Sequence, residues 1–195
     1  MRDSVLDASS LYFGIPGSDR LDTSLWSKSN DRERLDAFVY WVTGHYKHKS
    51  VTSGNIDDLE FNNPSDLPHS LHELSEEERG KYTSVEAFTT CDAKLLFVDT
   101  SVFVLLAKRA LFDKARAQLL PNVRVRYMSS GTSSGTLIWA LWPFGKYVEN
   151  PEVFYGRDAE KVRDIKCVAQ TEGNHFIFWD DPAKAIAQYG GSIAL

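Results

Sequence analysis

Apolar residues recur at helical spacing through Leu35, Phe38, Val39, Val42 and Tyr46, which predicts an amphipathic helix over about residues 31–47. Asn30, with Glu33 three residues on, has the spacing of a capping box in which Asn replaces Ser or Thr. The stretch before it, residues 1–28, mixes turn chemistry at Gly14-Ile15-Pro16-Gly17 with apolar anchors at Leu11, Tyr12, Phe13, Leu25 and Trp26. It predicts irregular structure with one short helix. From Ser50 to Ser84 the chain turns polar and acidic, broken at Gly54, Pro64, Pro68 and Gly80, and reads as a mobile surface excursion with one short helix around residues 70–79.

The second half alternates. Lys94 to Val98 predicts a short strand, and a Thr100 or Ser101 cap starts a helix running through about Leu119. Pro121 and Asn122 end that helix ahead of an apolar strand, Val123, Val125, Tyr127 and Met128. A Ser/Gly turn follows from Ser129 to Gly135, then an aromatic helix from Leu137 to Tyr147. The closing segment, from Val168, predicts a strand ending in Glu172-Gly173-Asn174-His175, with an aromatic run, Asp180-Asp181 as turn and cap, and Pro182 behind it. Strand and helix in alternation predict an α/β fold with a parallel sheet and right-handed crossovers.

Length and composition narrow the class. A chain of 195 residues that is 43% hydrophobic and 12% aromatic predicts one globular domain with a sizeable core. A net charge of −5 without a Lys/Arg cluster argues against nucleic acid, whose affinity comes mainly from neutralised phosphates. Cys91 and Cys167 lack metal-ligand spacing and predict two buried thiols in a reducing compartment. The amino terminus has no apolar core of signal-peptide length, and the longest apolar run, Val102 to Ala107, falls far short of a membrane span. A soluble, cytoplasmic protein is expected, and the final Ile-Ala-Leu lacks the basic residue of a peroxisomal address.

Other constellations are plainer. His45-x-x-His48 and His69-x-x-His72-Glu73 lack the His-Glu-x-x-His order and a third ligand, so they predict solvated polar faces and no metal. Glu76-Glu77-Glu78-Arg79 predicts an exposed helix face. Gly131 to Gly135 has neither a Walker lysine nor dinucleotide spacing, so no nucleotide and no other cofactor is expected. The aromatics Trp139, Trp142, Phe144 and Tyr147, with Phe176, Phe178 and Trp179, suit an apolar substrate pocket or, more simply, a core.

The strand, Ser/Gly turn, helix and Gly-Asn-His segment together resemble the back half of an α/β-hydrolase, and most nearly the fungal toxin-biosynthesis type. The resemblance implies a reduced α/β-hydrolase-like parallel sheet with flanking helices: residues 85–195 form the sheet-and-helix part, and residues 1–84 a helical cap-like segment with an acidic loop, the cap itself being residues 20–80. It implies His175 as the general base at the carboxyl edge of the sheet. The string Gly131-Thr132-Ser133-Ser134-Gly135 lies between strand and helix, as a nucleophile elbow does, which would expose the Ser133 hydroxyl. The other reading puts this turn where the family carries its acid, with serine in its place. Val153 to Asp158 resembles the strand end that holds the orienting carboxylate, Asp158; the alternative is a solvated aspartate at the start of a helix over residues 159–162.

Two functions follow. One is a cofactor-independent hydrolase-type enzyme acting on an ester, thioester or lactone of an apolar secondary metabolite in toxin-type biosynthesis. The other is a non-catalytic truncated hydrolase fold that binds a hydrophobic ligand or a partner chain. In the truncated fold, a sheet short of strands exposes an edge and an apolar patch that favour a homodimer or poor solubility. An unrelated small α/β or α+β domain is a third reading.

Overall fold

The computed structural model describes residues 2–6, 8–20, 27–95 and 97–190. The anticipated anchors Leu25 and Trp26 and the final Ile-Ala-Leu lie outside them. Strand β1 (Arg2–Leu6) is followed by a 3-10 turn at Ser10–Phe13 and helices α1 (Asp31–Val42), α2 (Glu76–Tyr82), α3 (Val85–Ala87), α4 (Ala93–Leu95), α5 (Thr100–Ala107) and α6 (Lys114–Leu119). Strand β2 (Arg124–Ser129), helices α7 (Gly135–Glu149) and α8 (Glu152–Tyr155), strand β3 (Asp164–Ala169) and helices α9 (Ile177–Asp180) and α10 (Pro182–Ala185) complete the order.

The three strands form one parallel sheet in the order β1-β2-β3, with Leu6 opposite Met128 and Ser129 opposite Ala169. The expected α/β class with a parallel sheet is therefore present. Its membership differs from the reading of the sequence. β1 was unanticipated, and the residues expected as a strand at 94–98 instead include the end of α4. The segment Val153–Tyr155, expected as a strand end, belongs to α8. β3 stops at Ala169, so Asn174 and His175 lie on a loop beyond the strand.

β2 is central because its inward positions are apolar and wholly covered. Tyr127 and Val125 meet Phe13, Phe112, Phe144 and Ile165 in the main core. Phe13 stacks on Phe144 with ring centroids 4.0 Å apart. Buried phenols need acceptors: in the main core Tyr127 donates to the Ala8 carbonyl at 2.7 Å and Tyr155 to that of Phe13 at 3.0 Å. These bonds fix the chain after β1 against the sheet.

α1 starts where the spacing predicts, with the Asn30 side chain accepting from the Glu33 amide, and ends earlier, at Val42. The helix expected over 100–119 is broken: α5 opens on an Asp99 cap, passes into a π-helical turn at Lys108–Phe112, and Asp113 then caps α6. The short helix expected at 70–79 is shifted to α2, opened by a full capping box between Ser75 and Glu78.

The polar excursion is docked rather than merely a surface loop. Leu59 and Phe61 are buried against Ile138, with Val51, Ile56, Trp139 and Trp142 around them. Indole N–H groups tie the same segment down: Trp142 donates to Val51 at 3.2 Å and Trp41 to Phe61 at 3.0 Å. Residues 43–73 thus form a roof over one end of α7 and the sheet. Among the described residues no helix is long and apolar enough to cross a membrane.

Candidate functional site

The loops that leave β2 and β3 at their carboxyl ends are laced together. The Gln170 amide donates to the Ser129 carbonyl at 2.8 Å, Gly131 to Glu172 at 3.3 Å and Thr132 to Gly173 at 2.8 Å. Glycine is required at the crossing points. A Cβ on Gly131 would collide with the Thr171 backbone, and Gly173 has φ of +80° with Ile177 against the place a Cβ would take. The Ser/Gly turn and the Gly-Asn-His loop are consequently neighbours.

The roof closes on this pair of loops through its own polar groups. Tyr46 donates its amide to the Thr132 carbonyl at 2.8 Å. His48 bridges two backbones, its Nε2 on the Ser133 carbonyl at 2.8 Å while its Nδ1 takes the Glu60 amide at 2.9 Å. Accepting at Nδ1 fixes His48 as a neutral imidazole with its proton on Nε2. Burial pushes its pKa down, against smaller upward pulls from the Ser133 carbonyl and Glu60. Ser134 donates its hydroxyl to Phe61 at 2.9 Å, and the Gly135 amide reaches the Glu60 carbonyl at 2.7 Å.

Glu60 shapes that part of the roof. Its Oε1 collects the amides of Phe61, Asn62 and Asn63 at 3.0–3.1 Å and the Asn63 side-chain nitrogen at 3.2 Å. Burial works to raise its pKa, but these bonds to the charged form outweigh it and hold the carboxyl below its ordinary range.

The three residues singled out from sequence are placed differently. Ser133 sits in the turn after β2 and is 0% exposed, with no elbow presenting it to solvent. His175, half-buried, follows β3 on the adjoining loop, with its ring centroid 5.6 Å from that of Phe176. Asp158 precedes β3, so a strand of six residues, roughly 20 Å, separates its end of the sheet from the histidine's. Its side chain is 80% exposed and pairs with Lys108, whose hydrogen bond holds the carboxyl below its ordinary range. The structure brings the serine turn and the histidine loop to one edge and leaves Asp158 at the other.

No known protein family, curated protein or solved structure matches this chain.

Beside the laced loops lies a cavity of about 520 Å³ between the roof and α9, with His45, Ser70 and Asp180 at its polar corner and Leu67, Leu74 and Trp179 among its walls. Ser133, His175 and Asp158 are not in its lining. Asn174 is tied to this lining through Ser70. Wholly buried, it donates from Nδ2 to the Thr43 carbonyl and the Ser70 hydroxyl, each at 2.8 Å, and accepts the Phe176 amide at 2.9 Å. Ser70 in turn donates to Asp180 at 2.8 Å. His45 stands 3.7 Å from the same carboxylate and 3.2 Å from the Thr132 hydroxyl. Burial lowers the His45 pKa and Asp180 opposes it in part.

Of the histidines expected as solvated faces, His72 is exposed, whereas His45 and His48 need correction. His45 and His48 are half-buried struts between roof and loops. Polar contacts across such distances leave no local spacing to read. Among the described residues no group of three His, Cys, Asp or Glu side chains is placed to hold a metal ion. The thiols also differ from expectation, since Cys91 is exposed and Cys167 half-buried.

Proposed function

We propose that this chain is an α/β-hydrolase-like protein acting on an ester, thioester or lactone of an apolar metabolite, with His175 as general base. The observation that supports it is the lacing of the loops after β2 and β3, which sets a serine turn beside a histidine loop at the carboxyl edge of a parallel sheet. Open α/β sheets bind ligands at that edge. In this reading the Ser133 oxygen attacks the acyl carbon, His175 takes the hydroxyl proton and passes it to the departing alcohol or thiol, and water then releases the acid. Because Ser133 is 0% exposed, the roof has to lift for substrate to enter.

That burial, with Asp158 at the opposite end of the sheet, favours a second reading: a non-catalytic hydrolase-like fold that binds a hydrophobic ligand or a partner chain. The outer edges of β1 and β3 carry no further strand among the described residues, which supports association with a second copy. A fluorophosphonate probe separates the two. Labelling of the folded chain that disappears in both Ser133→Ala and His175→Ala supports the enzyme; absence of labelling in folded protein removes Ser133 as nucleophile and leaves the binding reading.

A further inference from the structure

A second cavity, about 620 Å³, opens at the amino end of the sheet, far from the laced loops. Its lining joins aliphatic side chains, among them Leu106, Leu119 and Leu120, to three arginines, Arg109, Arg116 and Arg163. Three of the leucines are wide open to solvent, Leu106 at 54%, Leu119 at 71% and Leu120 at 56%. Aliphatic surface in a concave site of this size is the form a small apolar ligand fits.

The arginines have different tasks. Arg163 is committed to backbone, donating to Ala110 and Leu120 at 3.0 Å and to Arg116 at 3.4 Å, and so caps the carbonyl ends of the π-helical turn and α6. Of the four cations on residues 108–116, Lys108 is neutralised by Asp158 and Lys114 by Glu160. Arg109 and Arg116, the two that line the cavity, have no side-chain hydrogen bond or ion pair among the described residues. In a chain of net charge −5, two unpaired guanidiniums beside an aliphatic floor are complementary to one chemistry. A guanidinium pairs with a carboxylate through paired N–H donors, and the leucines exclude water from an alkyl tail.

We propose that this cavity binds a fatty carboxylate, with its head group on Arg109 and Arg116 and its tail along Leu106, Leu119 and Leu120. It is independent of the carboxyl-edge site and stands or falls separately from any hydrolase activity there.

Calorimetric titration of the purified chain with decanoate, decyl alcohol and decylammonium, each below its aggregation concentration, tests the site. Decanoate should bind one per chain and more tightly than the alcohol, while decylammonium does not bind. Octanoate should bind about fifteenfold more weakly than decanoate, from roughly fourfold per lost methylene. The exposed double variant Arg109→Gln/Arg116→Gln should lower decanoate affinity about tenfold or more, to the level of the alcohol. On the unaltered chain, added salt should weaken decanoate binding and leave that of the alcohol unchanged. Equal binding of decanoate and alcohol, decanoate affinity indifferent to salt or to the double variant, or no binding of decanoate overturns the proposal.

Discussion

The Asn174 side-chain nitrogen donates to the Ser70 hydroxyl at 2.8 Å, and through it the loop after β3 is joined to the roof and to Asp180. One buried amide therefore serves three elements.

Asn174→Ala should cost about 1–2 kcal/mol in chemical denaturation, because the half-buried Phe176 amide loses its acceptor, while the Thr43 carbonyl keeps the Ser70 amide at 3.1 Å. Asn174→Asp should be worse at neutral pH, since a carboxylate would face the Thr43 carbonyl, and should recover part of the loss in acid. A denaturation midpoint unchanged in either variant would contradict the assigned bonds.

Stability should fall as the pH drops below about 6.5. His45 and His48 have pKa values held below their ordinary 6.5 by burial, so the unfolded chain takes up protons first. The stabilisation is fully present above 6.5 and is lost as the pH falls towards the folded-state values, at a limiting slope of about 1.4 kcal/mol per pH unit for each imidazole. His48→Gln should flatten the dependence measured by thermal melting between neutral and mildly acidic pH. A profile as steep as before would remove His48 from the account.

Gly135→Ala sets helix propensity against packing. Alanine within the first turn of α7 would be favoured over glycine by up to about 1 kcal/mol on intrinsic grounds. A Cβ there, however, would lie 2.7 Å from the Glu60 carbonyl oxygen and 3.0 Å from the Leu59 side chain. The collision should win, with a net loss of stability and a loosened roof seen as faster amide exchange over residues 59–61. A more stable variant would show that the roof is not docked in this way.

The two thiols should react unequally. Burial, helped by Glu149, pushes the Cys167 thiol up to about 11, whereas Cys91 is exposed. Iodoacetamide at mildly alkaline pH should modify Cys91 and spare Cys167 in native protein, as read by mass spectrometry of peptides. Equal modification would mean that β3 is open to solvent at Cys167.

What the sequence revealed depended on how local the cause was. The strand–turn–helix of β2 and α7 was legible because apolar alternation, a Ser/Gly break and an aromatic helix follow one another without long-range help. The Asn30 cap of α1 was legible for the same reason. β1 was not, since its residues Arg-Asp-Ser-Val-Leu carry too little apolar pattern and its partner strand lies more than a hundred residues away. Lys94 and Leu95, read as strand, are drawn into a helical run that follows α3. At the site, His175 could be singled out by its Gly-Asn-His setting, but His48, Glu60 and Asn174 act through backbone groups remote in sequence. Nothing in their immediate neighbours announces that.

The bond between Asn174 and Thr43 joins residues 131 apart, and the Tyr46 amide reaches forward to Thr132. Contacts of such separation are entropically dear until the intervening chain is already ordered. The roof should therefore settle late, after β2, α7 and β3 have assembled, and an intermediate with a formed sheet and an undocked roof should precede the native state. In refolding, the burial of Trp142 beneath Val51 should lag behind the appearance of helix, which makes the order of assembly measurable by following tryptophan fluorescence alongside circular dichroism.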